Sequence, residues 1–314
     1  MIRFRRFALC VAALLAAGEF AFAQRNPARI PDSVRVERDV PYAGTDNPRQ
    51  RLDVLLPKEP AGEKPLPVVV FIHGGGWRNG AKERGLRELV PLVESGEYVG
   101  VTIGYRLSGE AKWPAQIHDC KAAIRWIRAN AAKYHFDPDR IGVVGTSAGG
   151  HLVALLGTSG GVEALEGNLG SHDEAGSRVQ CVVDFFGPTD LTIIGRKSQR
   201  ADSAVSQLFG GPASEHMESV RAASPKTHVS RDDPPFLLIH GTDDRTVPYR
   251  QSEILEAALK EAGVEAVLIK VEGGGHGRFQ SEDLDQRIRR FFDKPLRGQA
   301  GEVSAEPIRT GRAG

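Results

Sequence analysis

Long uninterrupted runs of apolar residues are the main signal in this chain, and they predict strands buried on both faces of a sheet. Proline and glycine bound most of the runs and mark where each strand ends. The predicted buried strands are 66–73 (LPVVVFIH), 99–103, a strand ending at Gly145, 179–186 (VQCVVDFF), 235–240 (PFLLIH) and 266–271 (AVLIKV). Two earlier strands are predicted at 34–40 and 51–56, separated by the turn AGTDNP.

Between these runs, apolar residues recur every three or four positions, which is the period of an amphipathic helix. Ile117, Cys120, Ile124 and Ile127 form the clearest such face. The predicted helices are 82–95 with a kink at Pro91, 115–133, one starting at His151, 251–262 and 281–292. Strands that alternate with helices predict an α/β fold, in which a mostly parallel central sheet carries helices on both faces.

The first 23 residues have the composition of an export signal. Three arginines precede an apolar run, and Ala21-Phe22-Ala23 matches the small-x-small pattern of a signal-peptidase site. The run is shorter than the roughly 20 residues of a membrane-spanning helix. We therefore expect cleavage and a periplasmic or extracellular location, with an uncleaved anchor as the alternative. Arg5-Arg6 leaves both the Sec and the Tat export routes open.

The rest of the chain divides into a leader, one large domain and a tail. We expect a leader at 24–41, an α/β domain at 42–293 and a polar, disordered tail at 294–314. Within the domain, the irregular segment 187–233 is predicted to form a lid and a pocket wall. Cys120 and Cys181 lie in apolar periodic segments, where free thiols pack, so we expect two buried thiols.

Charge and histidine spacing narrow the range of partners. Without the first 23 residues the chain carries 38 basic and 39 acidic side chains, a net charge of −1. This balance gives no electrostatic reason to expect nucleic acid or an anionic membrane surface as a partner. The histidines show no metal-ligand spacing, so we expect neither a metal nor a cofactor. The oligomeric state stays open.

The stretch GTSAGG, residues 145–150, joins a buried strand directly to an apolar helix. Gly145, Ser147 and Gly149 fit G-x-S-x-G, the turn in which a strained serine presents its hydroxyl clear of the backbone. A phosphate-binding loop needs Lys-Ser or Lys-Thr after its last glycine, and a dinucleotide loop needs glycine at its third position. The sequence meets neither requirement, so Ser147 is predicted to be a nucleophile.

Polar residues follow three other predicted strands, at the sheet edge where parallel-sheet proteins place their chemistry. HGGGW follows the first buried strand, and the backbone N–H groups of Gly75 and Gly76 are predicted to stabilise an oxyanion together with that of Ala148. GTDDRTVP and EGGGHG follow the last two strands. They offer Asp243 or Asp244 as the acid that orients His276, the predicted base.

Together, HGGGW, GYRLS, WPAQIHDCKAAIRWIRANA, DPDRIGVVGTSAGGHLVALL, HGTDDRTVPYRQS and GGGHGRF resemble the α/β-hydrolase fold over residues 42–293. More narrowly, the chain resembles the bacterial acetylxylan and feruloyl esterases near the hormone-sensitive-lipase branch. Thr146, where that branch usually has Asp, and the acid segment Asp-Arg-Thr-Val-Pro favour the polysaccharide-esterase group. The family pattern H-G-x-x-D-x-x-V-P falls on Asp244, which makes it the preferred acid.

This resemblance implies a serine esterase that acts on a small ester or an acylated polysaccharide through Ser147, Asp244 and His276. The alternatives are an aryl formamidase, an exopeptidase-like hydrolase or a binding module without catalysis. The export signal argues against the first, the lack of room for a second domain against the second, and the complete catalytic set against the third. Trp77, Tyr105 and Trp113 are candidates for the pocket lining, although packing in the core is an equal alternative for each.

Overall fold

The computed structural model describes residues 29–193, 195, 200–277 and 279–309. The predicted export signal, the start of the predicted leader and residues 310–314 lie outside this range. The strands are β1 (Val34–Pro41), β2 (Arg51–Pro57), β3 (Leu66–Ile72), β4 (Val99–Ile103), β5 (Phe136–Thr146), β6 (Cys181–Phe185), β7 (Phe236–Gly241), β8 (Ala266–Glu272) and β9 (Ile308–Arg309). The helices are α1 (Arg84–Glu94), α2 (Ala115–Ala129), α3 (Ala131–Tyr134), α4 (Ala148–Thr158), α5 (Glu163–Glu166), α6 (Ala204–Phe209), α7 (Met217–Ala222), α8 (Arg250–Glu261) and α9 (Glu282–Arg297).

The strands form one sheet in the order β1-β2-β4-β3-β5-β6-β7-β8-β9. β1 and β2 pair antiparallel, as do β2 and β4, and every later pair is parallel. The parallel part therefore places the carboxyl ends of β3 to β8 at one edge. In the described part of the chain, no helix is both long and apolar enough to span a bilayer. The predicted mostly parallel α/β architecture is confirmed.

Both faces of the sheet are covered, which explains why the central strands are continuous apolar runs. Val68, Val70 and Ile72 of β3 point into one core, which α2, α4 and α8 cover, and Val69 and Phe71 point into the other, which α1 and α9 cover. All seven residues of β3 are buried. A strand with apolar neighbours on both faces has no position for a polar side chain except at its ends.

The two cysteines of the domain lie in different cores. Cys120 of α2 belongs to the core beneath α2 and α4, and Cys181 of β6 to the core beneath α1 and α9. Both thiols are free and buried, as the sequence predicts. Because the sheet lies between them, an intramolecular disulfide would require the domain to unfold.

Two boundaries predicted from the sequence are wrong. β1 pairs with β2 along its length, so Val34–Pro41 belongs to the sheet and not to a leader. Likewise, α9 continues to Arg297, and Ile308–Arg309 adds a short strand beside β8. The Arg287 guanidinium donates to the backbone carbonyls of Ser304 and Glu306. These hydrogen bonds anchor the polar segment between α9 and β9. Besides these backbone contacts, Leu296, Val303 and Ile308 pack against the core that α1 and α9 cover, but they are too widely spaced to form a periodic apolar pattern.

Candidate active site

The turn between β5 and α4 holds Ser147 in a conformation that few non-glycine residues adopt. Its φ is 55° and its ψ is −119°, and its N–H donates to the Phe185 carbonyl over 2.9 Å. Such a backbone costs about 1–3 kcal/mol and persists only where its surroundings enforce it. A Cβ at Gly145 would clash with the Gly149 carbonyl, and one at Gly149 with the Ile72 carbonyl. The two glycines therefore allow the turn to close this tightly.

Three predicted site residues meet at the carboxyl edge of the sheet. Ser147 follows β5, Asp244 follows β7 and His276 follows β8. His276 Nε2 lies 2.9 Å from Ser147 Oγ, and His276 Nδ1 lies 2.6 Å from Asp244 Oδ2. Asp244 is buried, whereas the imidazole is 20% exposed. This chain of contacts can move a proton from the serine hydroxyl to the imidazole while the carboxylate orients the ring.

Asp244 is an ionised carboxylate held by several donors. Its Oδ1 accepts the Thr246 N–H at 2.8 Å and the Val247 N–H at 2.9 Å. Burial by itself would raise its pKa, but hydrogen bonds from His240, His276 and the two backbone N–H groups outweigh burial and hold the pKa well below the usual carboxyl range. Asp244 therefore carries a negative charge at neutral and mildly acidic pH.

Asp243, the alternative acid, makes different contacts from Asp244. Its side chain is exposed, its backbone N–H donates to the Gly274 carbonyl, and its Oδ1 faces the Thr242 hydroxyl at 3.4 Å. Of the two adjacent carboxylates, the structure brings only Asp244 to the imidazole. Among the described residues, no group of three or more His, Cys, Asp or Glu side chains is arranged to hold a metal ion.

The predicted oxyanion donors lie in a glycine loop that packs against the serine turn. Gly75 has φ 123° and Gly76 has φ 60°, and the Gly75 carbonyl accepts the Asn79 N–H at 3.0 Å to close the loop. A Cβ on Gly74 would lie 3.2 Å from the Ser147 Cβ, so the loop runs directly beside the nucleophile. Ala148 is the first residue of α4, where a backbone N–H has no helical acceptor. The structure thus places the glycine loop and the first residue of α4 beside Ser147.

Two buried aromatic rings, His73 and Tyr105, support the glycine loop. The His73 imidazole stacks on Tyr105 with centroids 4.3 Å apart, and the Tyr105 hydroxyl donates to the His73 carbonyl at 3.0 Å. Burial lowers the pKa of His73 to about 4, so its ring is neutral and its Nδ1–H donates to the Gly74 carbonyl. Tyr105 is fully buried. For this residue, the structure gives the packing alternative and not the pocket lining.

His151 connects the glycine loop to α4, the helix that follows Ser147. No motif in the sequence indicates this role. The Trp77 indole N–H donates to His151 Nδ1 at 3.2 Å, and His151 Nε2–H donates to the Ala223 carbonyl at 2.6 Å. Burial lowers the pKa of His151 to about 4, which keeps the ring neutral for both contacts. Trp77 is buried, whereas Trp113 beside His151 is partly exposed. Of the three predicted aromatic residues, only Trp113 is partly exposed.

Two more residues near the triad had no sequence signal. Phe186 has φ 44° and packs against the His276 ring with centroids 4.7 Å apart, which supports the imidazole from the side. Asp184, at the end of β6, accepts the Gly187 N–H at 2.9 Å and is fully buried. Burial raises the pKa of Asp184 to about 6. Neither residue belongs to a recognisable motif, because their roles depend on strand order.

Part of the predicted lid segment lies over the glycine loop. A Cβ on Gly76 would lie 3.1 Å from the Ala204 Cβ at the start of α6. The Arg78 guanidinium donates to the Asp202 carbonyl at 3.0 Å, and the Lys112 ammonium donates to the Gln207 carbonyl at 3.0 Å. Two cations next to the site therefore tie this segment to the loops around Ser147.

Comparisons with known proteins find esterases among the relatives of this chain. The family model described as BD-FAE matches residues 52–259. The Mycobacterium tuberculosis esterase LipQ is 35% identical over 262 residues, which cover 80% of this chain and 58% of LipQ. Esterase LipC of the same organism is 34% identical over 236 residues, which cover 74% of this chain and 58% of LipC. The chain thus spans less than two thirds of the length of these relatives.

Solved structures that resemble this chain also include a carbohydrate esterase. A truncated form of a carbohydrate esterase from gut microbiota superimposes with a TM-score of 0.78 at 35% identity, covering 84% of this chain and 96% of that one. The bifunctional GH43-CE protein of Bacteroides eggerthii superimposes with a TM-score of 0.78 at 36% identity, covering 85% of this chain and 36% of that one.

Proposed function

The chain belongs to the BD-FAE family, and from this membership we propose that it is an exported serine esterase. It removes acetyl or feruloyl groups from plant polysaccharide, or hydrolyses comparable short-chain esters, through a covalent acyl-enzyme. The observation that carries the proposal is the position of the His276 imidazole, 2.9 Å from Ser147 Oγ and 2.6 Å from Asp244 Oδ2. Its α/β-hydrolase fold and its esterase relatives support the same activity.

In the proposed reaction, His276 Nε2 takes the proton of the Ser147 hydroxyl as the oxygen attacks the ester carbonyl. The N–H groups of Gly75, Gly76 and Ala148 stabilise the resulting oxyanion. His276 then gives the proton to the leaving alcohol, and the acyl group stays on Ser147. A water molecule, activated by the same imidazole, releases the acid, while Asp244 stabilises the imidazolium in both halves of the cycle.

The acidic limb of the pH profile is expected to reflect protonation of the catalytic base. Because the pKa of Asp244 lies far below the usual carboxyl range, this carboxylate stays charged across the limb. The imidazole must be neutral to accept the serine proton, so kcat/KM falls as pH drops, tenfold per pH unit at the limit. Initial rates with a neutral ester in buffers of constant ionic strength measure this slope. A limit of a hundredfold per unit would mean that a second group titrates.

The lid segment favours small acyl groups. Three large apolar side chains of the segment, Leu191, Leu208 and Phe209, are buried in the core. A long acyl chain needs a continuous apolar channel, since each buried methylene contributes about 0.8 kcal/mol. Ile193 is half-exposed, and Arg78 and Lys112 border the segment. These side chains do not supply such a channel.

We expect kcat/KM to be highest for acetyl to butyryl nitrophenyl esters and to fall sharply by octanoyl. Acetylated xylan and methyl ferulate, assayed beside them, separate acetyl from feruloyl preference on the natural alcohols. Each assay includes Ser147→Ala protein at the same concentration, which subtracts hydrolysis that does not depend on the site. A kcat/KM that rises out to dodecanoyl would identify a lipase and contradict the carbohydrate ester as substrate.

Export and polysaccharide contact are proposed together. The segment 1–23 carries the features of a cleavable signal, and an exported enzyme meets polymers that do not enter the cell. Carbohydrate esterases are named among the structures that this chain resembles. The mature protein is expected to begin at Gln24.

A further inference from the structure

We propose that His240 is a positioning residue that holds the acid of the triad through a second imidazole N–H. The inference rests on the proposed function, because it assumes that Asp244 orients His276. His240 lies near the end of β7, fully buried, four residues before Asp244. Its Nε2 lies 3.3 Å from Asp244 Oδ2, the same oxygen that His276 Nδ1 contacts at 2.6 Å. Two histidines therefore converge on one carboxylate oxygen.

The hydrogen-bond partners of His240 fix which nitrogen carries the proton. Its Nε2 lies 2.9 Å from the Val247 carbonyl, and a carbonyl can only accept, so Nε2 carries hydrogen. Its Nδ1 lies 2.7 Å from Ser252 Oγ, a hydroxyl that can donate to the lone pair of this nitrogen. Ser252 thus supports the ring orientation in which the Nε2–H faces the Val247 carbonyl and Asp244.

This arrangement restrains both oxygens of the carboxylate. Backbone N–H groups of Thr246 and Val247 donate to Oδ1, His276 Nδ1 contacts Oδ2 at 2.6 Å, and the His240 N–H, which also faces the Val247 carbonyl, approaches Oδ2 at 3.3 Å. A carboxylate fixed in this way cannot rotate away from His276 when the substrate enters. The His240 N–H also shares the negative charge on Oδ2, which moderates how strongly Asp244 favours the protonated form of His276.

The surroundings of His240 are aromatic apart from one further acid. The Phe186 ring lies 6.3 Å away and the Tyr249 ring 5.6 Å away, both edge-on to the imidazole. Asp184 of β6 interacts electrostatically with His240, and burial raises the pKa of this acid to about 6. Asp244, Asp184 and His276 are therefore the titratable groups to consider around His240 when the pH dependence of variants is interpreted.

A matched pair of substitutions tests the role. His240→Gln and His240→Met have side chains of similar size, but only glutamine keeps an N–H donor. In His240→Met we expect kcat to fall about tenfold or more with KM within about twofold. We also expect the acidic limb of kcat/KM to move to higher pH by about half a unit, because Asp244 then acts on His276 alone. His240→Gln should recover most of the kcat and the wild-type limb.

Ser252→Ala provides a test that does not depend on packing at position 240. It removes only the hydroxyl that contacts His240 Nδ1 and supports the ring orientation, and we expect a smaller loss of kcat with the limb displaced in the same direction. Thermal unfolding of every variant identifies any that fails to fold. If His240→Met does not fold, the displacement of the limb in Ser252→Ala decides the question.

Asp244→Asn separates this inference from the proposed function. If Asp244→Asn keeps most of its activity, the triad assignment fails, and the role of His240 fails with it. If Asp244→Asn is inactive but the limb is unmoved or lowered in folded His240→Met, only the positioning role is overturned. Equal losses in His240→Gln and His240→Met would also overturn it, since loss of the ring and not of the donor would then be responsible.

Discussion

Ser147→Ala is expected to lower kcat for a short-chain ester by on the order of 10⁴- to 10⁶-fold, because no other group at the site replaces the nucleophile. The hydroxyl is a small part of the turn. The positive φ of Ser147 is imposed by Gly145 and Gly149, which the substitution leaves in place. The melting temperature should therefore stay close to that of the wild type, and single-turnover rates should fall with kcat.

Ser159→Ala is a control in the helix that Ser147 begins. Ser159 is buried, its hydroxyl donates to the Leu155 carbonyl, and it lies at the opposite end of α4. It should keep the wild-type kcat. An organophosphonate should modify the wild-type protein at one site, and peptide mass spectrometry should find the adduct on Ser147. Substantial turnover by Ser147→Ala, or an adduct on another residue, would contradict the assignment of the nucleophile.

Asp244→Asn is expected to lower kcat by about 10⁴-fold. The amide would keep the shape of the side chain and retain an acceptor for one set of N–H groups. However, if its NH₂ replaces Oδ2, it faces His276 Nδ1 and His240 Nε2 with a donor, so the imidazole must adopt the tautomer that cannot accept the serine proton. Steady-state kinetics at the pH optimum measure the loss.

The neighbouring Asp243→Asn provides the matched control. Asp243 is exposed and contacts the Thr242 hydroxyl, so removal of its charge should change kcat by less than about twofold. The same chemical change at two successive positions thus separates loss of a local charge from loss of the carboxylate that contacts His276. The opposite ranking of the two variants would move the acid to Asp243.

The sequence predicts those features that depend on local pattern. β3 and β7 are uninterrupted apolar runs because both of their faces are buried, and such runs can be recognised in the sequence. The tight turn at Ser147 can also be recognised in the sequence, because only glycine fits at positions 145 and 149. The order of Ser147, Asp244 and His276 along the chain follows from their places after β5, β7 and β8, whose carboxyl ends share one edge of the sheet.

Features that depend on contacts between distant segments were not predicted. His151 lies one helical turn after Ser147, but its partners Trp77 and Ala223 are 74 and 72 residues away. The last strand, Ile308–Arg309, has only two residues and joins the sheet through its backbone. Such contacts leave no period in the sequence, because each is made by a single side chain or by main-chain atoms.

The distance along the chain between Ser147 and His276 has a consequence for folding kinetics. These residues are 129 positions apart, and β6 and β7 must take their places between β5 and β8 before the two side chains can meet. Closing so long a loop is slow, and parallel strands cannot form by local zippering. Recovery of hydrolysis after dilution from denaturant therefore times the completion of the sheet, whereas helix content returns earlier.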